Sequence, residues 1–136
     1  MIGERKKTMT MNGKMNKITF EELFNSQAEN QNILIKKGSY VGFSSREFDS
    51  VPVDDPRLCS YHVQQLVSEI GEVLESDKRW KNFRNDRFDR DAKLDEIADC
   101  FIVMMNVAMY SNFTGEEVAK AILDKIDVVR NRIGEV

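Results

Sequence analysis

Four carboxylates stand in two pairs at i,i+3 spacing: Glu69 and Glu72 within Leu66-Val-Ser-Glu-Ile-Gly-Glu-Val-Leu-Glu75, and Glu96 and Asp99 within Leu94-Asp-Glu-Ile-Ala-Asp-Cys-Phe-Ile102. On a helix, residues three apart lie one turn apart on the same face. The second pair runs into Ile97-Ala-Asp-Cys-Phe-Ile-Val-Met-Met-Asn-Val-Ala-Met109, where Asn106 is the only strongly polar side chain besides Asp99. A helix that is apolar nearly all round is a buried one. A buried carboxylate without a partner costs several kcal/mol or takes up a proton, so Asp99 needs a cation. Four hard oxygen donors converging from two helices suit one or two Mg²⁺ ions, with Mn²⁺ as a substitute. Such ions favour carboxylate and water ligands and share their coordination shell with substrate phosphates.

The elements that must hold these pairs are marked by their punctuation. Thr19-Phe-Glu-Glu22 is a capping box, with Ile18 and Leu23 spaced as a hydrophobic staple, and it predicts a first helix running to about Lys37, where Gly38 stops it. Gly38 to Asp54 holds Gly42, Ser44, Ser45 and Pro52 with scattered aromatics, a long connection of the kind that forms a lid or a pocket wall. Asp55-Pro56 supplies an N-cap and a proline at the first helical position, opening a second helix to about Arg79. Val63, Leu66, Val67, Ile70, Val73 and Leu74 give it a regular apolar stripe. Lys81 to Asp91 reads as a solvated connection, the third helix spans about Ala92 to Tyr110, and the capping box Thr114-Gly-Glu-Glu117 opens a fourth. No alternating strand pattern competes, so the expected fold is all-α with four helices.

The 136 residues suffice for one domain and its core. With 41% hydrophobic and 32% charged residues the composition is that of an ordinary globular chain. No apolar run reaches the length of a membrane span and no signal-peptide pattern opens the sequence, so a cytoplasmic location without membrane contact is the default expectation. Cys59 and Cys100 belong to no metal-binding spacing and read as small hydrophobes or free thiols. Residues 1 to 17 carry Arg5, Lys6, Lys7, Lys14 and Lys17 against Glu4 alone and read as a flexible basic tail, leaving 18 to 136 as the folded domain. Because the net charge is −3, the remainder is distinctly acidic, which argues against nucleic acid as the main partner. The third helix spreads Ile97, Phe101, Ile102, Met104, Met105, Val107 and Met109 around its circumference, more apolar surface than three partner helices cover. It is therefore expected at or near a subunit interface of an obligate homodimer or homotetramer.

The two acidic motifs in this order resemble those of the all-α nucleoside triphosphate pyrophosphohydrolases, the MazG-like and dimeric dUTPase/dCTPase group. Leu66 to Glu75 is similar to the family's E-E-x-x-E helix, Asp95-Glu-Ile-Ala-Asp99 to its E-x-x-D helix, and Lys125-Ile-Asp-Val-Val-Arg-Asn-Arg132 to the basic segment that follows, so the likeness covers about residues 57 to 133. Two positions depart from the pattern: Ser68 stands where the family often has a second glutamate, and Val129 where an asparagine is common. The resemblance implies hydrolysis of a (deoxy)nucleoside triphosphate between the α- and β-phosphates. Mg²⁺ would be held by Glu69, Glu72, Glu96 and Asp99, with Glu69 or Glu72 activating the water and Glu75 an alternative ligand.

Other residues carry two readings each. Trp80 and Lys81 resemble a W-K pair that stacks on the base and holds phosphate, while a tryptophan at that place can equally cap the end of the bundle. Lys125, Arg130 and Arg132 suit triphosphate oxygens, and a Lys/Arg cluster near a helix C-terminus is equally expected from the dipole. Asn106, two turns beyond Asp99, either reads a base or sugar or is satisfied by a neighbouring helix. His62 has no nucleophile beside it and reads as a surface or packing residue. The competing functional class is a catalytically silent helical dimer acting as an interaction or regulatory module, its carboxylates solvated or paired with Arg84, Arg87 or Lys93.

Overall fold

A computed structural model describes residues 17–40, 50–81 and 87–134. Among them are four α-helices and no strand: α1 Phe20–Lys36, α2 Pro56–Ser76, α3 Arg90–Met109 and α4 Gly115–Gly134. The basic tail up to Met15 and Asn16, and most of the connection proposed as a lid, 41–49, lie outside the described residues.

Each helix begins where a side chain can take up orphan backbone donors. Thr19 Oγ1 accepts from Glu22 N–H, Asp55 accepts from Arg57 and Leu58 N–H, and Asp89 accepts from Ala92 N–H. At α4 the capping box closes in both directions: Thr114 Oγ1 accepts from Glu117 N–H at 3.2 Å, and Glu117 Oε1 accepts from Thr114 N–H at 3.1 Å. The staple is not drawn in, since Ile18 and Leu23 both stay exposed. α1 ends in a Schellman turn: Gly38 adopts φ 72°, its N–H reaches Ile35 O, and Ser39 N–H reaches Leu34 O, each at 3.0 Å. α2 stops at Ser76, short of the expected Arg79. Asp77 turns extended there, and its carboxylate caps a 3₁₀ turn over Lys78–Trp80.

α2 and α3 form a hairpin packed along its length, and α1 lies against α3 and the first part of α4. The core sits at one end of this arrangement: Phe24, Val51, Leu58, Met109 and Tyr110, with Met105, Ala28 and Val118 packed around them. Backbone bonds from Val53 N–H to Met109 O and from Asp55 N–H to Tyr110 O, both 2.9 Å, tie the start of α2 to the end of α3. At Gly115 α4 approaches α1 closely: a Cβ there would stand 2.9 Å from Phe24 Cβ.

α1 also docks through polar rungs. Gln27 Nε2 donates to Asn106 Oδ1 at 3.0 Å, and one turn on, the hydroxyls of Tyr110 and Tyr40 donate to Gln31 Oε1 at 2.6 and 2.7 Å. His62 completes this buried group, stacked on Tyr110 with 4° between the rings and with Nδ1 3.1 Å from Gln65 Oε1. Its packing role is therefore the one realised. Burial pushes the His62 imidazole below its usual pKa, with the Gln65 contact opposing the shift.

By contrast, much of the helices' apolar surface is uncovered. Val63, Val67, Ile70 and Leu74 on α2, Leu94, Phe101 and Met104 on α3, and Ile122, Ile126, Val129 and Ile133 on α4 are all exposed. From Lys120 onward every residue of α4 is exposed.

Candidate metal centre

The hairpin brings the two carboxylate pairs together. Glu69 and Glu72 from α2 and Glu96 and Asp99 from α3 each offer an oxygen, and the four oxygens lie within 4.8 Å of one another. The cause is local: α2 turns Leu58, His62 and Leu66 toward α3, and Glu69 continues that face two turns beyond His62. On α3 the same relation places Asp99 and Glu96 in line with the buried Val103 and Asn106.

The site is electrostatically uncompensated. Glu69 Oε2 and Glu96 Oε2 are shielded from solvent without a hydrogen-bond partner, and among the described residues no cation pairs with any of the four carboxylates. Desolvation, followed by the neighbouring Glu72, raises the carboxyls of Glu69 and Glu96 above the ordinary range. Desolvation, then Asp95 and Glu72, does the same to Asp99. The adjacent Cys100 thiol is pushed up by burial and then by these same carboxylates. Orphaned oxygens, mutual repulsion and an all-oxygen donor set are what a hard divalent cation relieves. The donors fit Mg²⁺ or Mn²⁺ better than a softer metal.

A carboxyl whose pKa is higher in the folded state than in the unfolded one contributes stability below its unfolded pKa, about 4 for Asp and Glu. That contribution is lost as pH rises through the folded pKa. The chelated protein should therefore lose stability on account of this cluster as pH rises above about 4. A divalent cation binding the ionised site should restore it, by about 2.7 kcal/mol at a hundredfold excess over Kd. Thermal melts at pH 5.5 and 7.5, with EDTA and with Mn²⁺, check this: the metal-induced rise in Tm is expected to be larger at pH 7.5.

Around the cluster the named residues divide. Glu75 stands outside it, 3.5 Å from Lys78 Nζ. Trp80 sits at the hairpin end nearest the carboxylates, its indole N–H held by Leu74 O at 3.1 Å while 57% of the residue stays exposed. Lys81 Nζ lies 5.4 Å from the ring. The indole edge is thus used for capping, while more than half of the residue stays exposed. Asn106 is 4% exposed and accepts from Gln27, which is the helix-docking reading of that residue. Lys125, Arg130 and Arg132 are on the exposed part of α4, which packs against α1, so within one chain they are not gathered with the carboxylates.

Two features escaped the sequence reading. Asp77 is a buried ionic knot: Arg79 grips it with two bonds of 2.8 Å and Lys93 Nζ adds a third at 2.9 Å. These contacts hold its carboxyl well below the usual range, and Arg79 lies 3.6 Å over the Phe88 ring. The connection is solvated at residues 87–91, which are all exposed, and this knot ties its two flanks together. Gln27 and Gln31, four apart on α1, were the other omission, and their spacing on the face that carries Phe24 was the available signal.

No protein-family model, no curated protein and no solved structure matches the chain.

Proposed function

We propose that the chain is a divalent-metal-dependent nucleoside triphosphate pyrophosphohydrolase, splitting a (deoxy)nucleoside triphosphate into the monophosphate and pyrophosphate. The observation that carries this reading is the convergence of Glu69, Glu72, Glu96 and Asp99, with two oxygens orphaned and no cation beside them among the described residues. The resemblance of the two acidic motifs to the MazG-like family supports the choice of substrate. Lys93, one cation that a silent module could have used to neutralise the carboxylates, is committed to Asp77.

Mg²⁺ or Mn²⁺, held by Glu69, Glu72, Glu96 and Asp99, would supply charge neutralisation on the phosphates and acidify a bound water. The protein's own share is positioning. Glu69, whose carboxyl is raised, and Glu72 beside it are the groups able to take a proton from the attacking water at the α-phosphorus. Lys81, next to Trp80 at the same end of the hairpin, suits the distal phosphate oxygens. Trp80, more than half exposed, suits stacking on a base. The assembly proposed with this function is a homodimer or homotetramer in which the exposed Leu94, Phe101 and Met104 of α3 enter the interface.

Incubation with each canonical NTP and dNTP in Mg²⁺, followed by anion-exchange chromatography, tests the proposal. The expected products are a nucleoside monophosphate and pyrophosphate, abolished by chelation. Release of a diphosphate and orthophosphate, or no turnover of any nucleotide, would overturn it.

A further inference from the structure

We infer that Asp77 is a positioning residue for the carboxylate site: it holds the Lys93 ammonium away from Glu96 and so keeps the four carboxylates free for a divalent cation. The inference rests on the metal reading proposed above and adds to it how the chain keeps its own lysine out of the site.

The first support is geometric. Lys93 stands three residues before Glu96 on α3, one turn away on the same face, a spacing at which a lysine and a glutamate ordinarily pair. Here they do not. Lys93 Nζ lies instead 2.9 Å from Asp77 Oδ2, across the hairpin at the end of α2. Asp77 is only 8% exposed and both of its oxygens are engaged: Oδ1 accepts from the backbone N–H and Nε of Arg79, and Oδ2 from Arg79 Nη2 and Lys93 Nζ. Phe88 fixes both cations from the other side, its ring centre 3.6 Å from the Arg79 guanidinium and 5.9 Å from Lys93 Nζ. Arg79 first, then Lys93, keep the Asp77 carboxyl well below the usual range, so it stays ionised wherever a metal would bind.

The second support is the distribution of charge. Arg79 alone, gripping Asp77 through two bonds of 2.8 Å, neutralises it, so Lys93 gives this knot one cation more than its carboxylate needs. One turn along α3 the four carboxylates have no cation among the described residues. Lys78 is drawn off in the same way, 3.5 Å from Glu75. Three cations that flank the cluster, Lys78, Arg79 and Lys93, thus all pair with carboxylates outside it. Fastening the hairpin tip asks for one cation at Asp77, whereas keeping the site open asks for the lysine nearest to it to be held elsewhere. An ammonium on Glu96 would cancel charge that a divalent cation needs, and would have to be displaced before the ion could bind.

Two measurements decide it. Mn²⁺ binding to the full-length protein, read from the paramagnetic resonance signal of the free ion, is compared in wild type, Asp77→Asn, Lys93→Met and the double variant. Asp77→Asn should bind about tenfold more weakly, because the released lysine must be displaced from Glu96. Lys93→Met should bind as tightly as wild type or up to about threefold more tightly, and the double variant should return to within about threefold of wild type. A clamp that only fastens the hairpin has the opposite effect in Lys93→Met. Weaker binding by that variant, or a double variant no better than Asp77→Asn, would therefore overturn the inference, and Lys93→Met carries the decision alone if Asp77→Asn does not fold. The second measurement is a metal-free cycle of Lys93→Met against Glu96→Gln, read by thermal melts at pH 7.5. The two substitutions should be additive in wild type and non-additive by about 2 °C in Asp77→Asn, where the pair has formed. Additivity in both backgrounds would refute the release of the lysine onto Glu96. Should wild type bind no Mn²⁺, the proposed function fails, and the cycle still shows where Lys93 goes when Asp77 is lost.

Discussion

Asp99→Asn is expected to cut Mg²⁺-dependent turnover about a thousandfold or more, the equivalent of some 4 kcal/mol of transition-state stabilisation, while the metal-free protein keeps or gains thermal stability. The two effects have one origin. In the absence of metal, Asp99 adds to the repulsion around Glu72 and Asp95, and the amide removes a charge without changing the volume. With metal, that charge is one of four donors within 4.8 Å of each other, and its loss weakens the cation just where phosphate oxygens must be neutralised. Glu72→Gln should behave alike. Steady-state kinetics beside chelated thermal melts separate this outcome from simple misfolding, in which activity and Tm fall together. Turnover within a few-fold of wild type would remove the metal site from the mechanism.

Phe101→Glu is expected to shift the assembly toward monomers, raising its dissociation constant by about a thousandfold, as a charge forced into an apolar contact must stay hydrated. Phe101 is 66% exposed in the single chain, so the substitution leaves the intrachain core untouched. Light scattering across a dilution series gives the mass, and a wild-type protein that is monomeric at micromolar concentration would refute the expectation. Met105 would be the wrong residue for this test. It lies on the same apolar helix but packs against the core built on Phe24, Leu58 and Tyr110, and a charge there would unfold the chain rather than separate one copy from another.

That contrast shows where the sequence was legible. α3 is apolar around most of its circumference, so its pattern announces burial without saying which side meets α1, which meets α2 and which stays exposed. The helix starts were readable because a cap is a local event: Thr19, Asp55, Asp89 and Thr114 each satisfy N–H groups two or three residues away. The end of α2 was less so, because Asp77 is held by Lys93, sixteen residues on, and no local rule reports that bond. The four carboxylates were found because two i,i+3 pairs on consecutive helices need only a hairpin to meet. For the cations of α4 the sequence left two readings, phosphate binding and the helix dipole, and no local rule says which neighbour a fourth helix chooses. The chain lays the start of α4 on α1, through the close approach of Gly115 to Phe24.

The rungs between α1 and α3 have a bearing on how the molecule opens. Gln27 to Asn106 and Tyr110 to Gln31 span 79 residues each, and the groups they join are satisfied in water almost as well as in the fold. The hairpin of α2 and α3, by contrast, is the most extensive helix pairing among the described residues and carries the Asp77 knot at its tip. Native-state opening therefore has a natural order: α1 is the sub-globally labile unit, and the hairpin is the last to exchange its amides. The four carboxylates all belong to the more persistent unit, so the cation site outlives the loss of α1 and is the region of the molecule able to form first when the chain folds.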